Sequence, residues 1–571
     1  MNYTVSQVRQ GGRFLSVVAE FDVKGRQEME FRIASWRPGR YEIGNFAKNI
    51  RKLEVYSQDG EALEFQKTSK DNWLVYCAGK LRIRVIYEYF AATLDAGSTF
   101  CSNELVYINP LNCLVYDPTA EKEACEINLK VPDQFQIATS MAVKGQRLMA
   151  ANYEEMADSP ILASPDVEHH EFEQNGCAFH VWIQGRHNLN VPRFIEEAKA
   201  YTQEQVMVFG DMESKAYHYL FFFLPTRFHH GVEHAASTVI VMGPGEEFNT
   251  EERHHEFLAI SSHELFHYWN VKRIRPVEMW PYDYTKENYS RLGYVYEGIT
   301  TYYGDYMLLR SGVLNFDEYC SQFNADLQKH FDNEGRYNYS VAESSFDTWL
   351  DGYTPGVPGR KVSIYTEGML AAFMLDLEIR YATGNAKSLD TVMRSLYQDF
   401  YKQGKAYSEE TLRALIEDIA GKSFEFFFRD FYWGKGKVEA FLPESLWSIG
   451  CELEIGEAEN LHEARYGFKL SRGSKVIVTS ILEDSPAEQA GLSLNDEVLL
   501  INNTPASQGT DWNQLFSLGS TMFVWNSIEG SKEVDFIPNG ESYYQRYTIK
   551  KMENASQEQK DFFQMWSGQE W

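Results

Sequence analysis

Seven cysteines in 571 residues are too few and too scattered for a disulfide framework. They stand at Cys77, Cys101, Cys113, Cys125, Cys177, Cys320 and Cys451, with no C-x-x-C pair among them. That excludes a cysteine metal site and leaves buried free thiols as the expectation. Long apolar runs are also missing. No stretch approaches ~18 uninterrupted apolar residues, so no membrane span is expected. Positive charge is in deficit, with 54 Lys+Arg against 82 Asp+Glu and a net charge of −28. Such a chain is a poor partner for nucleic acid or an anionic membrane surface. The start, Met1-Asn2-Tyr3-Thr4-Val5-Ser6-Gln7, has no charged segment leading into an apolar one, so no signal peptide is read there. The expected compartment is the cytoplasm, or the periplasm if a leader has been removed. Internal repeats and low-complexity linkers are absent from the pattern.

What the chain does have is apolar and aromatic material, 44% and 15% of its residues. That is enough for several cores, and the length suggests about three to five domains. Residues 1–172 read as a β-sandwich. Phe14–Val23, Met29–Ile33 and Leu81–Tyr89 are rich in β-formers or alternate in polarity, with turns at Lys24-Gly25, Asp59-Gly60 and Ala78-Gly79 between them. Trp36-Arg37-Pro38-Gly39-Arg40-Tyr41 reads as a tight turn, and nothing in this domain looks catalytic. Residues 173–312 mix helix and strand. A helix begins at Val191-Pro192, Tyr219–Leu224 is a buried strand, and Asn249-Thr250-Glu251-Glu252 opens another helix. Residues 313–450 read as helical, with a loop at 354–359. Residues 451–555 return to β structure, and 556–571 read as a polar, frayed tail. The fold class is multidomain α+β.

The chemistry centres on His263-Glu264-Leu265-Phe266-His267, an H-E-x-x-H motif. On a helix, residues four apart share a face, so both imidazoles can reach one ion. Two imidazoles and a carboxylate with an open fourth position suit one Zn2+ ion. Glu264 sits where it could take a proton from a water held there. Glu278, Asp283, Glu287 and Glu297 follow as possible third ligands. Glu297 is preferred because it lies on a predicted helix, 294–311, among aromatic and small neighbours, where a buried carboxylate needs a partner. Asn270 and Asp305 are conceivable partners of the ligands.

The stretch from His263 to Pro276, with Tyr296-Glu297-Gly298-Ile299-Thr300-Thr301-Tyr302-Tyr303, closely resembles the glycyl aminopeptidase family. These are PDZ-containing zinc metallopeptidases of the gluzincin group, distantly related to aminopeptidase N. The resemblance extends over most of the chain, including the Trp36–Tyr41 turn. It implies a thermolysin-like catalytic domain after the sandwich, then a helical domain and a PDZ domain. It assigns metal binding to His263, His267 and Glu297, and general-base work to Glu264. Gly231-Val232-Glu233-His234 resembles the family's G-x-E-H strand, implying that Glu233, with Gly231 and Val232, binds the substrate's free α-amine. The family has glycine where this chain has His230. Tyr365, in Ser363-Ile364-Tyr365-Thr366-Glu367-Gly368, resembles the group's oxyanion-binding tyrosine. Tyr466-Gly467-Phe468 resembles a PDZ carboxylate-binding loop, implying a C-terminal peptide ligand beside peptide or protein substrates. The implied activity is a zinc aminopeptidase preferring small N-terminal residues such as Gly or Ala. A PDZ-guided zinc endopeptidase and an inactive peptide-binding scaffold are the alternatives.

Overall fold

The structure, a computed structural model, describes residues 1–571 except 355, 508–510 and 518–520. Pro355 of the loop expected at 354–359, and six residues of the expected PDZ segment, therefore lie outside the described residues. The chain forms two compact units. The first holds residues 1–319, 337–438 and 562–571, and the second holds 320–336 and 439–561.

The first unit begins with a seven-stranded sheet in the order 142–144, 147–150, 125–130, 2–7, 14–22, 82–90, 50–57. Phe14–Asp22 alternates strictly, with Leu15, Val17, Ala19 and Phe21 turned inward. A three-stranded sheet (28–32, 72–76, 65–69) contributes Phe31, Trp73 and Val75 to the same core. The expected strands at 14–23, 29–33 and 81–89 appear as Phe14–Asp22, Glu28–Arg32 and Arg82–Phe90.

A five-stranded mixed sheet follows, in the order 168–174, 177–184, 216–223, 237–243, 228–233. Its central strand, Ala216–Phe223, is almost wholly buried, as the apolar run Tyr219–Leu224 requires. Phe228–Glu233 is an edge strand and pairs antiparallel with Ser237–Gly243. The helix Glu251–Phe266 runs beneath these two strands. Its cap is Thr250, whose side chain accepts from the Arg253 N–H, while Glu251 and Glu252 occupy the first turn.

Helices dominate from 300 to 448, among them Thr300–Arg310, Ile364–Ala382, Glu409–Ala420 and Val438–Ser448. The expected helix over 294–311 is one continuous element, but its first six residues, Tyr294–Ile299, are wound as a π-helix. Such turns are rare and concentrate at functional sites.

The second unit contains a β-sheet (468–472, 476–481, 497–501, 521–527, 530–536) around a core that includes Phe468, Val478, Trp512, Phe523 and Trp525.

The polar tail expected over 556–571 is corrected by the structure. Gln557–Ser567 is a helix, and Phe563 and Trp566 are fully buried. Trp566 stacks on Tyr306 at 5.4 Å and donates its Nε1–H to the Tyr302 hydroxyl at 3.1 Å. A few aromatic side chains, spaced to share one helix face, outweigh the polar composition of the rest.

Candidate metal centre and active site

Two elements meet at one point in the first unit. The H-E-x-x-H helix supplies His263 and ends at His267, which caps it. The π-turn supplies Glu297. His263 Nε2 and His267 Nε2 lie 3.1 Å apart, and Glu297 Oε2 lies 3.3 Å from His267 and 3.9 Å from His263. Bonds of about 2.0–2.1 Å at tetrahedral angles separate neighbouring ligand atoms by roughly 3.3 Å. The three atoms are therefore spaced to hold one Zn2+, and the donor set of two imidazoles and one carboxylate suits that ion.

The surroundings orient these groups. The carbonyl of Asn270 lies 2.9 Å from His267 Nδ1 and accepts its hydrogen, which turns the Nε2 lone pair toward the cluster. Asn270 Nδ2 in turn donates to the Val295 carbonyl at 2.8 Å and to Thr300 Oγ1 at 3.0 Å. One asparagine thus ties a histidine loop to the helix that carries Glu297. The next residue, Val271, holds φ +83, a left-handed conformation that a β-branched side chain tolerates only under constraint. Asp305 lies on the helix Thr300–Arg310, which Ser262 anchors by donating to the Gly304 carbonyl at 2.7 Å.

The reading that nothing in residues 1–172 looks catalytic is also corrected. The Trp36–Tyr41 turn reaches the candidate site. Tyr41 is buried, and its hydroxyl donates to Glu297 Oε1 at 2.8 Å. Gly39, at φ +77, lies against the Glu233 carboxylate and leaves no room for a side chain. Sequence reasoning identified the turn and missed its destination.

Glu233 ends the edge strand and is buried, and its Oε1 has no hydrogen-bond partner among the described residues. Its charge acts on His267, Glu264 and Glu297, which places it beside the cluster. Strand alternation then decides what its neighbours do. Gly231 shares the face of Glu233, and any side chain there would overlap the Glu264 carboxylate. Val232 points the other way, into a core with Leu105, Tyr107 and Val239, so it offers the site only its backbone. His230 also points away, 3.9 Å from Asp95. Burial, reinforced by Arg37, lowers its pKa to about 4 against the pull of Asp95. His230, standing where a glycine was expected, therefore leaves the face shared by Gly231 and Glu233 unobstructed.

The charges are strongly perturbed. Burial raises the Glu264 pKa well above the carboxylate range, and Glu233 and Glu297 push in the same direction against His267. Its Oε2 is buried and has no hydrogen-bond partner among the described residues. For His267, burial opposes positive charge, but the carboxylates of Glu297, Glu233 and Glu264 outweigh it and raise the pKa, the same attraction that favours a cation at this point. Burial, aided by the charge of His267, lowers that of His263. Tyr365 occupies the first turn of the helix Ile364–Ala382, whose cap Ser363 accepts from the Thr366 N–H. Gly298 and Gly368 let that helix approach the π-turn to near backbone contact. Burial and the Glu297 charge raise the Tyr365 pKa, keeping its hydroxyl a donor beside Tyr353.

The three residues expected to bind a PDZ ligand belong to the second unit. Tyr466 and Phe468 are fully buried in its core, and the Tyr466 hydroxyl lies 3.0 Å from Thr521 Oγ1. Gly467, at φ +72, closes the helix Leu461–Tyr466 by donating its N–H to the Glu463 carbonyl at 3.3 Å. That donor is already engaged within the domain.

Comparison with known proteins follows the same division. Residues 2–165 match the Peptidase M61 N-terminal domain, 256–371 the M61 glycyl aminopeptidase domain, and 457–513 the PDZ domain. No curated protein matches the chain. Among solved structures, an aminopeptidase N family protein from Idiomarina loihiensis shares the fold at a TM-score of 0.91 and 24% identity, covering 99% of each chain. An M1 zinc metallopeptidase from Deinococcus radiodurans aligns with 76% of this chain and 94% of its own, at 15% identity and a TM-score of 0.46. With both of that family's domains and a PDZ domain present in order, the chain belongs to the M61 glycyl aminopeptidase family of metallopeptidases.

Proposed function

We propose that the protein is a zinc-dependent aminopeptidase that removes small N-terminal residues such as glycine or alanine. The observation that carries this reading is the buried Glu233 carboxylate, one oxygen of which meets no donor among the described residues. An unpaired buried acceptor is costly, and a substrate's α-ammonium group would satisfy it with a charge-assisted hydrogen bond. The family match to glycyl aminopeptidases supports the preference for small residues.

His263, His267 and Glu297 would hold one Zn2+. When bound, such an ion acts as a Lewis acid that makes water more acidic and polarises a carbonyl. The chain's own groups do the rest. Glu233 fixes the amine, so one residue separates it from the bond to be cut. The edge strand beside Gly231 and Val232 offers main-chain groups to the peptide. Glu264 takes the proton of the attacking water and returns that proton to the leaving amine. Tyr365 donates its hydroxyl hydrogen to the oxyanion.

Turnover of free and N-acetylated peptides tests this directly. Free peptides should be cleaved and acetylated ones should resist. Equal cleavage of both would replace the aminopeptidase with an endopeptidase. Glu264→Gln should retain zinc and lose turnover, and wild-type rates in that variant would refute the base assignment.

A further inference from the structure

A second constellation with metal-ligand geometry lies on the five-stranded sheet, at the hairpin formed by Glu168–Gln174 and Cys177–Gln184. Glu171 is directly opposite His180 across the two strands, and His169 lies two residues from Glu171 on the same face. His169 Nε2 lies 3.1 Å from His180 Nδ1, and Glu171 Oε1 lies 3.4 Å from the first and 3.3 Å from the second. These three separations are closer to the roughly 3.3 Å of a tetrahedral zinc site than those of the catalytic cluster.

The two imidazoles are held in place by rings around them. Trp182 stacks on His169 with centroids 3.6 Å apart and planes 8° from parallel. His218, on the next strand and opposite His180, stacks on it at 4.6 Å. Trp182 also donates its Nε1–H to His218 Nδ1 at 3.2 Å, closing the row. Stacking of this kind limits ring rotation, so the ligand atoms are positioned before an ion arrives. Glu171 is well exposed, which leaves a path for a hydrated ion and room for a water as fourth ligand.

We propose that His169, Glu171 and His180 form a second site for a divalent transition-metal ion of the Zn2+ class. Two neutral imidazoles and one carboxylate prefer such ions to Ca2+ or Mg2+, which seek oxygen ligands. The strand Glu168–Gln174 is the outer edge of its sheet, so an ion bound there would clasp it to its neighbour. The site is separate from the catalytic assignment and does not depend on it.

The test is metal stoichiometry in the full-length protein. Chelated wild type, His180→Asn and Glu171→Gln are each dialysed against Zn2+ and analysed for zinc per chain, with peptide turnover measured on the same samples. Both variants should hold one equivalent fewer than wild type and keep its turnover. Added Zn2+ should raise the melting temperature of wild type more than that of either variant. Zinc content unchanged in both variants would overturn the proposal, because the 3.1 Å contact would then be an ordinary histidine–histidine hydrogen bond.

Discussion

The hydroxyl of Tyr41 donates to Glu297 Oε1 at 2.8 Å, while Glu297 Oε2 faces the two histidines. One carboxylate is thus shared between the N-terminal domain and the candidate metal site, and the hydrogen bond sets which oxygen faces the two histidines. Tyr41→Phe should weaken zinc retention by about 10–100-fold, the usual effect of removing a ligand's hydrogen-bond partner. Competition with a chelator measures it, and unchanged affinity would mean that Glu297 is oriented by its helix alone.

Gly231 leaves the space that the Glu264 carboxylate occupies. Gly231→Ala should displace that carboxylate and lower kcat by about 100-fold, as expected for misplacement of a reacting group by ~1 Å. Zinc content should be unchanged. Kinetics and metal analysis on one preparation separate this outcome from loss of the ion.

Tyr365→Phe removes a hydroxyl and little volume. If that hydroxyl stabilises the oxyanion, kcat should fall by about 100–1,000-fold with zinc retained. A change confined to KM would assign Tyr365 to substrate binding instead.

Asp158 carries a pH prediction. Burial alone would raise its pKa, but the Lys272 ammonium at 2.7 Å and His234 outweigh burial and hold it far below the usual carboxylate range. A carboxyl depressed on folding stabilises the protein above its unfolded pKa of about 4, and that contribution is lost as pH falls toward the folded value. Asp158→Asn leaves a buried ammonium without its partner and should cost about 3–5 kcal/mol at neutral pH. Thermal melts should show the gap between wild type and variant narrowing below about pH 4.

Trp566 tests the terminal helix. It is fully buried against Tyr306 and Phe373, and Tyr306 donates to its carbonyl at 2.6 Å. Trp566→Ala should cost about 3–5 kcal/mol, seen as a lower melting temperature. An unchanged melt would return this segment to the status of a tail.

Much of the centre was legible in the chain because its rules are local. A four-residue spacing brings His263 and His267 to one face through helical geometry alone. Alternation in Phe14–Asp22 and the apolar run at Tyr219–Leu224 predicted strands for similar reasons. Glu297 required one further step, that a carboxylate among aromatic residues on a helix is buried and needs a partner.

What the sequence alone determined, then, is the H-E-x-x-H spacing that sets two histidines on one helix face, the candidate third carboxylate, and the order of β and α segments. Tertiary structure decided the rest. It brought Tyr41 to Glu297 across 256 residues, turned Val232 and His230 away from the face that Gly231 and Glu233 share, and buried Trp566. The difference is physical. Helical and strand periods are properties of consecutive dihedrals, whereas the partner of a hydroxyl or the cover over an aromatic ring depends on how distant elements pack. The H-E-x-x-H spacing predicted two ligands on one face, and packing supplied the tyrosine that orients the third.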